Sequence, residues 1–594
     1  MTALSIPTLL PTPLRWALSL FVALGCSACA TNTENATPPL ALQAVEHELA
    51  EYPLPSDIRS ASPSHVDTLF SKGVEALCAG KIGAYYHMIN VDAENMLHHY
   101  EWRGNTPTLL RSFAIGPGIK SCAITEAENT QLKSATLYLA DEFSGLWAMP
   151  LHPEHEVSKS LQFYQPDTPV EGVATGYSHA TGPLVAWVSP AHSGVWLQTQ
   201  CARHYFSFDK DIAPELVRFS SPDSPDTPVP MLYVNDDETG AVYAASLTDK
   251  LSACDAPAAS SQSKAIPLLA VYETTPVDNY GDAADDPAIW YNNQSPAQSL
   301  IIGTDKKGAL NTYSLQGKRM ASHPIGKVNN VEVVAISLAG VTPTGTPINA
   351  LAIASNRTHN SLSVLSVAQG SGELALLSDI PTPLSDIYGL CAFNHNGNID
   401  VLVNSTSGEY LRYQLSLNPD SGNIDASMVH AFTLPSQPEG CVVDTQKGVA
   451  YLGEESTGVW TLDVNQTQAS PQLAITIAAP VESDVEGLSL FDVDGVRYLI
   501  ASSQGNNQYA VYSTDHTFSL IGMVEVAANR EKSIDGASET DGLATSNYNF
   551  GGEFSEGIFV VQDGRNIMPS ERQNFKIVTG ASLANAIRSL NAAN

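Results

Sequence analysis

Along most of the chain, apolar residues come in short runs or alternate with polar ones instead of recurring at helical spacing. Ser299–Gly303, Leu351–Ser355, Asp400–Asn404 and Tyr498–Ser502 are typical, each bounded by Gly, Asn, Asp or Pro. Short runs closed by turn residues predict strands. The clearest helical segment is Ala581–Leu590, near the C-terminus.

A second pattern lies over the first. A polar, mostly acidic residue is followed by Gly or Pro and then by apolar residues, at Asp286-Pro287, Tyr388-Gly389, Glu439-Gly440, Glu486-Gly487 and Asp541-Gly542, with Glu332-Val333 as a variant lacking the glycine. The signature recurs about every 50 residues, the length of a four-stranded propeller blade. The fold class is therefore all-β, with a six-bladed β-propeller over residues 269–592 whose innermost strands each open with a polar residue facing the central channel. Residues 65–255 echo the pattern: Leu137–Met149 (LYLADEFSGLWAM) parallels Ala450–Leu462 (AYLGEESTGVWTL), and Glu171-Gly172 parallels Glu486-Gly487. There Lys120 stands where Glu439 does, Asp141 where Glu454 does and Pro169 where Asp484 does. This half reads as an incomplete, degenerate propeller without catalysis, flanked by linkers at 26–64 and 256–268.

Charge narrows the function. The 594 residues carry 29 Lys+Arg against 62 Asp+Glu, a net charge of −33. Nucleic acid is excluded as a partner, because phosphodiester backbones need clustered bases. Acids converging on one channel repel each other unless protonated or neutralised by a cation. Hard oxygen ligands in an exported protein favour Ca²⁺, with several ions across so many acids. The competing reading makes these acids turn residues and solvated blade tips.

The N-terminus reads as an export signal over 1–25, with Arg15 ahead of the apolar run Trp16–Leu24. Gly25-Cys26 resembles a bacterial lipoprotein box with Cys26 lipidated, which would make the protein an outer-membrane or periplasmic lipoprotein. Cleavage at Ala28-Cys29-Ala30 would make it a secreted one. Any membrane contact is through that lipid alone. Of the later cysteines, Cys78 and Cys122 repeat the positions of Cys391 and Cys441. The pairs Cys78–Cys122 and Cys391–Cys441 follow, with Cys201–Cys254 as the remainder; the alternative is buried free thiols.

A set of motifs runs through residues 270–580: Asp282–Trp290 (DAADDPAIW), Thr304–Leu310 (TDKKGAL), Lys327–Val331 (KVNNV), Ser355–Thr358 (SNRT), Gln437–Gly440 (QPEG), Asp484–Leu488 (DVEGL), Ser502–Asn507 (SSQGNN), Asp541-Gly542, Phe559–Asn566 (FVVQDGRN) and Gln573–Val578 (QNFKIV). By these motifs the region resembles the β-propeller phytases, calcium-dependent phosphatases acting on inositol hexakisphosphate. The resemblance implies calcium ligands at Asp285 or Asp286, Glu439, Glu454, Asp484, Glu486, Asp535, Asp541 and Asp563. It implies phosphate contacts from Lys306, Lys307 and Arg357, a hydrogen bond from Tyr388 to substrate or water, and a substrate contact from Gln504. The substrate would be phytate as its calcium complex. Successive strand residues face opposite ways, so Asp285 and Asp286 can share the channel only where the strand is bulged or has ended. Two departures from the family pattern are Thr275, in place of an acid, and Thr406, in place of a lysine. A non-catalytic, calcium-stabilised propeller binding anionic ligands or partners at the cell surface is the alternative function; a lactonase or phosphodiesterase on the same fold is a third.

Overall fold

The computed structural model describes residues 39–45, 69–250 and 265–593, apart from breaks at 104–105, 126–133, 179–181, 221–230, 249, 343, 396 and 419–422. The expected signal segment, Cys26 and Cys254 lie outside the described residues. No helix among the described residues is long and apolar enough to cross a membrane.

Residues 265–593 form six sheets arranged as a propeller. Their innermost strands are Ala284–Trp290, Val328–Val341, Ile387–His395, Pro438–Asp444, Leu488–Val493 and Leu543–Ser546, in blades 1 to 6. Each inner strand packs on the next, and that of blade 6 packs on blade 1, so the ring is closed. Apolar side chains from neighbouring blades meet between the sheets; Val334, Leu351 and Val364 of blade 2 cluster with Leu390 and Val401 of blade 3. With both faces covered, strands such as Ser361–Ala368 are buried throughout. That burial explains why many strands read as apolar runs instead of clean alternations.

The ring is closed by hydrogen bonding as well as packing. Tyr272–Glu273 forms the outermost strand of blade 6, pairing with the C-terminal strand Asn574–Thr579. Ile266–Leu269 adds a parallel fifth strand to blade 5, beside Leu520–Ala527. The segment read as a linker over 256–268 thus ends inside the fold. These additions pair edges that would otherwise be open. The expected helix runs over Gly580–Ala593 and buries Leu583, Ala584 and Ile587 against Leu268 and Phe559.

The N-terminal half holds four successive sheets with inner strands Ala76–Ile82, Ile119–Ile124, Gly172–Ser178 and Val217–Phe219. Each packs on the next, but the first and fourth share no comparable packing among the described residues. The fourth sheet takes its outer strand from Gln43–Val45, which pairs with Val242–Ser246. Part of the segment read as linker 26–64 is therefore structural. Disulfides Cys78–Cys122 and Cys391–Cys441 each staple the inner strands of adjacent sheets, at Cα separations of 5.6 and 5.5 Å. Cys201 is also disulfide-bonded.

The two halves touch. Arg530 of the propeller forms an ion pair with buried Glu101 at 2.9 Å, its guanidinium lying over the Tyr85 ring. Arg103 donates to the Arg530 carbonyl, and Arg565 to the Glu154 carbonyl.

Candidate active site

Inner strands of blades 1 to 4 are irregular at one end: register shifts fall between Ala284 and Pro287, Val328 and Val331, Ile387 and Leu390, and Pro438 and Cys441. Each shift holds two residues out of the ladder, as β-bulges do near functional sites. The pairs are Asp285-Asp286, Asn329-Asn330, Tyr388-Gly389 and Glu439-Gly440. Glu486-Gly487 and Asp541-Gly542 stand at the same place, just before the inner strands of blades 5 and 6.

The second member of each pair faces the next blade at very close range. A Cβ on Gly389 would lie 2.1 Å from the Glu439 carbonyl oxygen, and one on Gly440 2.2 Å from that of Glu486. In turn, the Gly440, Gly487 and Gly542 amides donate to the carbonyls of Glu486, Asp541 and Asp285 at 3.1–3.2 Å. The recurrent glycine is thus a packing requirement, and the polar residue before it is the one delivered to the mouth. This corrects the sequence alignment in two blades, where Asp285 and Asn329, not Asp286 and Glu332, belong to the ring. Asp286 occupies the glycine position, and its Oδ2 accepts from the Val331 amide at 3.0 Å, pinning blade 1 to blade 2. Glu332 lies deeper, in a channel cavity of about 370 Å³. Burial pushes its carboxyl up to about 7.

At the mouth, carboxylate oxygens of Glu439, Glu455 and Glu486 lie within 4.8 Å of one another. Glu439 is held from two sides: Tyr388 donates its hydroxyl to Oε2 at 2.9 Å and Asn329 donates Nδ2 to Oε1 at 2.6 Å. Gln437 donates to Glu455 at 2.7 Å. Asp541 accepts from Gln504. Lys306 Nζ reaches Asp282 at 2.7 Å, Asp285 at 3.1 Å and Asp541 at 3.6 Å. Arg357 lies over the Tyr388 ring and pairs with Asp386 at 3.3 Å. Thr406 donates to the same Asp386 carboxylate.

Burial, then neighbouring negative charge, drives these acids toward protonation. Asp285 is pushed up to about 6 even with Lys306 beside it. Glu455 is pushed up to about 7, with Glu439 and Asp484 contributing. Glu486 and Asp541 are raised well above the usual carboxylate range. Burial and then the surrounding acids raise the Tyr388 hydroxyl too, so it remains a donor. Glu486 Oε2 and Asp285 Oδ2 are buried and accept no hydrogen bond. Hard oxygens with free lone pairs in a self-repelling cluster fit a divalent cation such as calcium.

Other expected residues are elsewhere. Glu454 is fully buried and accepts from the Ser436 amide and hydroxyl at 2.6 Å each and from Trp460 Nε1 at 2.8 Å. These donors hold its carboxyl below the usual range despite burial. It braces blade 4, and Glu455, absent from the sequence-derived ligand set, takes the place at the mouth. Lys307 is exposed and donates Nζ to the Tyr280 carbonyl, so it clamps a rim loop instead of joining the acids. Asp535 and Asp563 form a second cluster with buried Lys576, whose Nζ lies 3.0 Å from Asp563 and also pairs with Asp535. Glu273 joins Lys576 at 2.8 Å. In the N-terminal half, Lys120 sits at the bulge matching that of Glu439 and pairs with Glu142 at 3.4 Å.

Fold and site define a class: a six-bladed propeller with a cup of acids, edged by bases, at one mouth. The Phytase family model matches residues 239–592, and the chain belongs to this family; it is a phosphoric monoester hydrolase. It is 34% identical over 325 residues to a 3-phytase of Bacillus subtilis (strain 168), an alignment covering 52% of this chain and 83% of the relative. Among solved structures it is similar to a calcium-binding protein, regucalcin, from Agrobacterium tumefaciens str. C58, with TM-score 0.35 and 11% identity over 53% of this chain and 97% of that one. It is also similar to BBS1N in complex with ARL6DN, with TM-score 0.29 and 9% identity over 70% of this chain and 96% of that one.

Proposed function

We propose that the chain is a calcium-dependent phytase, releasing phosphate from inositol hexakisphosphate by direct attack of water at the mouth of the propeller. The observation that carries this reading is the cluster of Glu439, Glu455 and Glu486, with the buried Glu486 Oε2 and the nearby Asp285 Oδ2 lacking hydrogen-bond partners, beside Lys306 and Arg357. Glu439, Glu455 and Glu486 would hold calcium, with Asp285, Asp484 and Asp541 beside them. When bound, the ion would supply positive charge for the phosphoryl oxygens and acidify a water molecule.

The chain's own groups do the rest. Arg357 offers a planar fork suited to phosphate oxygens, whereas Lys306 acts as a point charge. Two donors on Glu439 fix its carboxylate in one orientation, and Gln437 does the same for Glu455. Tyr388, whose hydroxyl keeps its proton, can exchange its bond to Glu439 for one to a phosphate oxygen. A protein carrying a net charge of −33 can hold a polyanion only through such bases and bridging cations. The substrate is accordingly phytate carrying calcium.

The N-terminal half, with Lys120 at the position of Glu439, is proposed to be non-catalytic. Three disulfide-bonded cysteines outside the catalytic ring support export, by either form of the N-terminal signal. The test of the main reading is phosphate release from calcium phytate before and after chelation with EGTA. Activity is expected to vanish on chelation and return with calcium; full activity in EGTA would refute it.

A further inference from the structure

The second acidic cluster is completed by the other half of the molecule. Glu154 lies on the loop after strand Gly145–Pro150 of the N-terminal half, and this loop is tied down from both sides. Arg111 donates to the Pro150 and Leu151 carbonyls at 2.9 and 3.3 Å, while Arg565 of the propeller donates to the Glu154 carbonyl at 2.7 Å. So anchored, the Glu154 side chain crosses into the propeller, where Oε1 accepts from the Gly536 amide at 3.1 Å.

Its other oxygen has no such bond. Glu154 is only 7% exposed, yet Oε2 accepts no hydrogen bond; the Ser538 hydroxyl alongside donates to Asp563 Oδ1 instead. Oxygens of Glu154, Asp535 and Asp563 lie within 4.8 Å of one another, all three residues buried. Asp563 Oδ2, 3.0 Å from Lys576 Nζ, also lacks a hydrogen bond. Lys576 therefore serves these three acids and Glu273 with a single charge. A loop held by two arginines thus places in the propeller a buried carboxylate with one oxygen unsatisfied, beside acids that already share one ammonium, an arrangement that a further cation would satisfy.

We infer that Glu154, Asp535 and Asp563 form a divalent-cation site, suited by its hard oxygens to calcium, that clasps the N-terminal half to the propeller. Family resemblance implies calcium at Asp535 and Asp563; the third ligand comes from the N-terminal half. The clasp shares with the proposed function only the choice of metal, and lies outside the Glu439 cluster.

The test uses the full chain and calcium itself. Equilibrium dialysis would count bound ions in wild type, in Glu154→Gln and in Glu439→Gln, with hydrogen exchange followed over residues 150–155 and 534–538. Glu154→Gln keeps the shape and an acceptor for Gly536. It is expected to bind one ion fewer per chain and to lose the calcium-induced protection that wild type shows in both segments. An unchanged ion count overturns the clasp. So does a Glu154→Gln chain that melts well below wild type in EGTA, because Glu154 would then be a fold acceptor only. Loss of an ion in Glu154→Gln but none in Glu439→Gln would support the clasp while refuting the proposed catalytic cluster.

Discussion

Tyr388 donates its hydroxyl to Glu439 Oε2 across 2.9 Å, joining the inner strands of blades 3 and 4 at the channel mouth. A hydrogen bond to a charged group contributes about 1.5–3 kcal/mol, so Tyr388→Phe should lower kcat/KM for calcium phytate by roughly ten- to a hundredfold. Steady-state phosphate release measures it, and a Tyr388→Phe enzyme with wild-type kinetics would remove this residue from the site.

Adjacent glutamates should behave oppositely. Glu455→Gln is expected to fold normally and to lose at least tenfold in activity, on the order of 1.4 kcal/mol of barrier. Glu454→Ala strands the Ser436 and Trp460 donors in a buried site, which at about 1–3 kcal/mol each should lower unfolding free energy by roughly 3 kcal/mol or more. Urea melts and phosphate assays on both variants separate the roles; the reverse pattern would restore Glu454 as the ligand.

The paired lysines also divide. Lys306→Ala leaves Asp282, Asp285 and Asp541 without their ammonium and should reduce kcat/KM by about a hundredfold or more, near 2.7 kcal/mol. Lys307→Ala removes an exposed loop contact and should change it by less than about threefold. Equal losses in the two variants would return Lys307 to the phosphate site.

Without calcium, the mouth should make the fold sensitive to base. Asp285 ordinarily titrates near 3.8 and is raised to about 6 here, so the folded state favours its protonated form. That contribution is complete below 3.8 and is lost as pH rises through 6; Glu455 extends the window to about 7. In protein stripped of calcium and dialysed into metal-free buffers the melting temperature is expected to fall between about pH 4 and pH 8, and saturating calcium should raise it most at the upper end. A calcium-free protein more stable at pH 8 than at pH 5 would contradict the carboxylate crowding.

Much of this was legible in the sequence because one packing rule repeats. Wherever a neighbouring blade's carbonyl comes within about 2 Å of a would-be Cβ, glycine is obligatory, and its recurrence reveals the blades. The same rule misleads in blades 1 and 2, where Asp286 and Asn330 hold the glycine position and no glycine marks the register. The bulges carry no signature of their own, so Asp285 could not be told from Asp286. Nor could Glu455 be told from Glu454, since both precede a turn and only the fold shows which one meets Ser436. Glu154 was beyond sequence reading altogether, because its partner amide lies 382 residues away.

The short strand Tyr272–Glu273, bonded to the last strand of the chain, has a practical consequence for anyone dissecting this protein. An expression fragment begun after residue 275 would lack the outermost ribbon of blade 6, together with the Glu273 carboxylate that meets Lys576, and would leave a sticky border on an otherwise sealed wheel. Because that seam joins the earliest and latest segments of the wheel, assembly can finish only once translation has released the whole of it.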